Sequence, residues 1–150
     1  MIDIAVDDKA WTRALPNAAA LANEAARAAG AGDAEVAILL TGDGPQQALN
    51  ARYRGQDRTT NVLAFPDASG ARLGDIALAF GVCAREAAEQ GKTLADHLRH
   101  LVVHGVLHLR GYDHQSEADA QRMENEERRL LASMDIADPY QERPHAGGYG

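Results

Sequence analysis

Residues 104–114 read His-Gly-Val-Leu-His-Leu-Arg-Gly-Tyr-Asp-His, a pattern of H-x-x-x-H-x-x-G-x-x-H. No other stretch constrains the fold as much. Two histidines four apart lie on one face of a helix, about one turn from each other. His104 and His108 can then reach a single ion. Gly111 can take a left-handed backbone conformation and end the helix. The turn it permits brings His114 back toward the same point. Three neutral imidazoles, with a fourth position left to water, are a common form of catalytic zinc site. A structural zinc site would normally add a fourth protein ligand, usually cysteine, and the single cysteine, Cys83, is not near. The spacing predicts an open metal site for hydrolytic chemistry, carried on a partly buried helix.

The same stretch resembles the signature of the YbeY family, bacterial metal-dependent endoribonucleases that mature ribosomal RNA. Zincin metalloproteases share the histidine spacing but carry a glutamate directly after the first histidine, as general base. Here that position is Gly105, which cannot take a proton from water. Residues 53–66 read Tyr-Arg-Gly-Gln-Asp-Arg-Thr-Thr-Asn-Val-Leu-Ala-Phe-Pro. They match a second YbeY signature, Y-R-x-x-D-x-x-T-x-V-L-x-F-P, almost position for position. The resemblance continues at Gly74-Asp75-Ile76 and at the ending Ile136-Ala137-Asp138-Pro139-Tyr140.

Periodicity outlines the rest. Ile2, Ile4 and Val6 alternate with polar or small residues, as in a strand with one buried face. Residues 11–16 read as a connector with room for a short helical turn. An Ala-rich helix is expected over 18–29, ending at Gly30. A buried strand is expected over 35–40. After it Asp43 reads as the N-cap of a helix that stops near Gly55. Further strands are expected over 62–65, ended by Pro66, and over 73–78. A helix over 82–90 follows. Thr93 reads as the cap of the motif helix, 94–110. Ser116-x-x-Asp119 resembles a capping box for a charged helix to about residue 133. On that helix Met123, Leu130 and Leu131 face the core, while Glu117, Asp119, Glu124, Glu126 and Glu127 read as a solvated face. These elements predict one α/β domain of the α+β kind over 1–140, with a sheet of about four strands and helices packed on it. The resemblance implies that the sheet is mixed. Residues 141–150, with three glycines and a proline, read as a flexible tail.

Charge and cysteine content narrow the function. The formal net charge is −7, which argues against broad, nonspecific nucleic-acid binding. A local basic cleft on an acidic body is still compatible with it. Arg52, Arg54 and Arg58 against Asp57 make the most basic short stretch before the metal motif. No apolar run approaches the roughly 20 residues that span a bilayer. The start of the chain lacks a signal-peptide pattern, and a lone cysteine forms no internal disulfide. The expected compartment is the cytoplasm, with no membrane partner.

For the site, three histidines are expected to bind the metal: His104, His108 and His114. The expected cofactor is one Zn2+ per chain. Such an ion would lower the pKa of bound water toward about 7. Arg54 reads either as a solvated arginine at a helix end or as a bidentate phosphate clamp in catalysis. The resemblance, in which the matching arginine is functional, favours the clamp. Arg58 is a further candidate for a substrate contact. His97 and His100 fall on the stripe of His104 and His108, within about 80° of arc. They are candidates for groups behind the ligands. Asp113 reads either as a carboxylate orienting an imidazole or as a turn residue. Cys83 reads as a buried packing residue. No protein general base stands out.

The resemblance implies a single-strand-specific endoribonuclease. Its substrate would be ribosomal RNA, in maturation of the small-subunit 3′ end and in ribosome quality control. Its partners would be the small subunit and associated assembly factors. Two other classes remain: a metallohydrolase acting on peptides or small esters, and a ribosome assembly factor whose metal is mainly structural.

Overall fold

The computed structural model describes residues 1–32 and 34–140. The tail expected over 141–150 lies outside the described residues. Four strands form one mixed sheet: β1 (Ile2–Val6), β2 (Val36–Thr41), β3 (Val62–Pro66) and β4 (Gly74–Ala79). Their order is β1-β2-β4-β3. The β1–β2 and β2–β4 pairs are parallel, with Ile4 opposite Ile38 and Ile38 opposite Ile76. β3 returns antiparallel along β4, with Ala64 opposite Ile76. Pro66 ends β3 at a sheet edge, where a missing N–H is tolerated.

Six helices complete the fold: α1 (Lys9–Ala14), α2 (Ala18–Ala28), α3 (Asp43–Arg54), α4 (Phe80–Glu89), α5 (Leu94–Leu109) and α6 (Glu117–Ser133). α5 is the centre of the core. Leu98, Leu101, Val102, Val103, Val106 and Leu107 are all sealed from solvent. A helix buried nearly all round needs neighbours on every side. β3 and β4 lie along one flank, and α2, α4 and α6 along the others. The Ala-rich composition of α2 follows from this: Ala18, Ala22, Ala25 and Ala26 are fully buried. Small side chains let it lie close to α5, and alanine has the best intrinsic helix propensity.

The helix starts are set by local side chains where the sequence suggests it. Thr93 Oγ1 accepts from Asp96 N at 3.1 Å, and Ser116 Oγ from Asp119 N at 3.0 Å. Two places differ from expectation. The segment after β1 is a six-residue helix, begun by Asp8, whose Oδ1 accepts from Ala10 N. Trp11 drives this: it is fully buried, donates Nε1–H to Thr41 O at 2.9 Å and meets Phe80 edge-on. Asp43 is not the N-cap of α3, a place taken by Gly42. Its carboxylate instead accepts from Val82 N at 3.2 Å in the first turn of α4.

Candidate active site

The end of α5 is built as the sequence requires. Gly111 has φ +103°. Its N–H donates to His108 O, and Tyr112 N–H donates to Leu107 O, both at 3.1 Å. This pair of bonds is the Schellman arrangement, which satisfies the last carbonyls of a helix and reverses the chain. The reversal returns His114 to the face of His104. Their rings stack with centroids 5.2 Å apart and planes 22° from parallel.

His104, His108 and His114 all line one cleft of about 140 Å³. Its opposite wall comes from the end of α3 and the loop and strand after it, and includes Arg54 and Arg58. Arg54, the last residue of α3, donates Nη2–H to Ala64 O at 2.6 Å. Its guanidinium lies 5.5 Å from the Phe65 ring centre. It is therefore held against β3 by a carbonyl and an aromatic face, at the lining of the cleft. Burial, followed by the charges of His104, Arg54 and His114, lowers the His108 pKa, against an upward pull from Asp113. A neutral imidazole is the form a metal needs. Asp113 Oδ1 accepts from Gln115 N at 3.1 Å, an Asx turn in the loop that carries His114. Arg58 pairs its Nε with Gln56 Oε1 at 3.0 Å.

The two remaining histidines of the stripe pair with carboxylates, His97 with the partly exposed Glu86 and His100 with the fully buried Glu127. His97 Nε2 is 2.9 Å from Glu86 Oε1 on α4, and Asn61 Nδ2 donates to the same oxygen at 3.1 Å. His100 Nε2 is 2.7 Å from Glu127 Oε2 on α6. Burial pushes the His100 pKa down to about 4, against the pull of Glu127, so its imidazole is neutral.

Glu127 corrects the reading of α6 as carrying a wholly solvated acidic face. It is fully buried. Its Oε1 lies 3.2 Å from His104 Nδ1, and its Oε2 takes the Tyr140 hydroxyl at 2.9 Å as well as His100. Burial works to raise its pKa, but the hydrogen bonds from His100 and His104 outweigh that and hold the carboxyl at about 2. The signal was present in the spacing. Glu127 stands four residues after Met123 and three before Leu130, on the stripe that faces the core.

Among the described residues, donor atoms of His104, His114 and Glu127 lie within 4.8 Å of one another. His108 is outside this tight group but opens onto the same cleft. Two converging imidazoles, a third neutral imidazole one turn away and a carboxylate form a donor set suited to a divalent ion. The site can hold a metal ion. Cys83 is buried at 3.6 Å from Asn61 O, and burial drives its thiol pKa far up, so it is no nucleophile.

The sequence profile of the family described as Endoribonuclease YbeY matches residues 3–135. The chain belongs to the YbeY endoribonuclease family. An Endoribonuclease YbeY of Paramagnetospirillum magneticum is 50% identical over 160 aligned positions, covering 95% of this chain and 98% of that protein. Another from Maricaulis maris is 48% identical, covering 93% and 91%. The solution structure of a Thermotoga maritima protein matches with a TM-score of 0.58 at 26% identity, covering 98% of this chain and 100% of that one. The two stretches that carry the YbeY resemblance, 53–66 and 104–114, form the two walls of the cleft. As a member of this family the chain is a nuclease of the hydrolase class. Among the described residues, no helix is long and apolar enough to cross a membrane.

Proposed function

We propose that this chain cleaves phosphodiester bonds in single-stranded RNA, with one zinc ion held by His104, His108 and His114. One observation carries the reading: a fixed arginine faces three histidines across a single cleft. When bound, the ion supplies a Lewis acid that activates water and polarises a phosphoryl oxygen. Arg54 binds the scissile phosphate through its fork of N–H donors and stabilises charge building on a non-bridging oxygen. Arg58 takes a neighbouring phosphate. His97 and His100 stand behind the cleft and brace α5. Asp113 shapes the turn that presents His114. The substrate is ribosomal RNA at the 3′ end of the small subunit, reached in the cytoplasm together with assembly factors. Ribosome quality control uses the same cleavage.

The position that holds the general-base glutamate in zincins is Gly105, whose Cα faces Ile76 in the core. That packing weighs against a peptidase. The test is metal analysis of the purified protein, paired with cleavage of single- and double-stranded RNA by wild type and His108→Ala. Metal-dependent cleavage of the single strand, lost in the variant, is the expected result. Cleavage that survives full chelation would overturn the reading, and so would a folded His108→Ala protein that still cuts.

A further inference from the structure

We propose that Glu127 is a positioning residue that fixes the His104 ring in its Nδ1–H tautomer and turns Nε2 toward the cleft. The proposal rests on His104 being a metal ligand. Close spacing alone would also allow Glu127 to be a ligand itself, since its carboxylate belongs to the tight donor group. The hydrogen bonds decide between the two roles. Oε1 is engaged by His104 Nδ1 at 3.2 Å, and Oε2 by both His100 Nε2 at 2.7 Å and the Tyr140 hydroxyl at 2.9 Å. Three donors converge on two oxygens, in a residue with no exposed surface. A carboxylate so engaged acts as an acceptor, and the proton it accepts from His104 must sit on Nδ1. The lone pair for a metal is then left on Nε2. An imidazole held this way from behind is both better oriented and more basic.

The carboxylate is itself held in place. Tyr140 reaches it from the segment after α6, where Asp138 Oδ1 accepts from Tyr140 N at 2.8 Å and Arg128 binds Asp138 Oδ2 at 3.0 Å. The Arg128 guanidinium also lies 5.2 Å from the Tyr140 ring centre. The end of the described chain is thus tied through one tyrosine to the back of the metal centre.

The test uses Glu127→Gln, Glu127→Ala and Tyr140→Phe in the full chain. Two quantities are read: the His104 tautomer in metal-free protein by 15N NMR, and zinc affinity by chelator competition. Wild type should show Nδ1–H at His104, and Glu127→Ala should lose that preference. Zinc affinity should fall roughly 10–100-fold in Glu127→Ala. It should fall less in Glu127→Gln, whose amide oxygen still accepts from Nδ1–H. Cobalt-substituted Glu127→Gln should keep the wild-type absorption bands, whereas loss of a direct ligand would shift them. If Glu127→Ala fails to fold, Glu127→Gln and Tyr140→Phe decide, by a measurable weakening of zinc binding. An Nε2–H tautomer in wild type overturns the proposal, as do shifted cobalt bands or unchanged zinc affinity in every folded variant. Wild type that binds no zinc would defeat the metal reading, while the tautomer would still report on Glu127.

Discussion

Gly105 of α5 lies against Ile76 of β4 so closely that a Cβ added to the glycine would stand 3.1 Å from Ile76 Cδ1. Ile76 sits in the middle of the sheet and is almost fully buried, so it has little room to move. Gly105 also lines the cleft, between His104 and His108 in sequence. The contact with Ile76 means that a side chain at 105 would push into the core.

Glu at this position, the zincin arrangement, should therefore destabilise the protein and confer no peptidase activity. Overpacking alone typically costs about 1–3 kcal/mol, and burying a carboxylate adds to it. Urea unfolding of Gly105→Glu should show a clearly lower midpoint than wild type. An unchanged midpoint, or metal-dependent peptide cleavage by the variant, would contradict this account.

His108→Ala should bind zinc more than ~100-fold more weakly, since losing a ligand exceeds the usual effect of losing a group behind one. RNA cleavage should be lost with the metal. Stability of the chelated protein should change by no more than about 1 kcal/mol, because His108 is only half-buried at the helix end. Metal content by mass spectrometry and thermal melts of both proteins check this. Full zinc occupancy in His108→Ala would leave His104, His114 and Glu127 as the ligands.

Some of this site was legible in the sequence because its determinants are local. The caps at Thr93 and Ser116 act within three residues, and the turn at Gly111 closes on the preceding helix. The histidine spacing therefore put all three imidazoles on one cleft, with only His104 and His114 in the tight donor group. Asp43 failed as a cap because its partner, Val82 N, lies 39 residues away. Glu127 lies on the core-facing stripe by spacing, but its charge masks this for a related reason. In a run of glutamates and asparagine it looks like solvent-facing charge, and its burial depends on His100, His104 and Tyr140 arriving from other segments. Sheet order was likewise beyond periodicity, since β3 and β4 exchange places relative to chain order.

Acidification should destabilise the metal-free protein in two overlapping windows. Buried His100 takes a proton only near pH 4 when folded, against an ordinary value of 6.5. Between those values the unfolded chain binds a proton that the folded chain does not, so stability falls as pH drops through that range. The loss is on the order of 3 kcal/mol. Glu127, held at about 2 against an ordinary 4.5, contributes stability that is complete above 4.5 and lost as pH falls toward 2. The urea midpoint of chelated protein should be lower at about pH 4.5 than at about pH 7, with a smaller difference in His100→Asn. A midpoint independent of pH across this range would refute it.

On the proposed reading, a change at Arg54 should separate binding of the metal from binding of the phosphate. The Arg54 side chain donates to Ala64 O and lies over Phe65, and a guanidinium is no metal ligand. Arg54→Ala should thus keep its zinc. Losing the hydrogen bond to Ala64 O should cost about 1 kcal/mol of stability. Turnover should fall roughly 10²–10³-fold, by analogy with removing one donor to a developing oxyanion. Arg54→Lys should recover only part of the rate, because an ammonium cannot reproduce the bidentate fork. RNA affinity should weaken with salt, with a slope reflecting a few phosphate contacts, and the slope should become shallower by about one contact in Arg54→Ala. The measurement is turnover, metal content and salt-dependent RNA binding on all three proteins. Wild-type turnover in Arg54→Ala, or loss of its zinc, would remove Arg54 from the role of phosphate clamp.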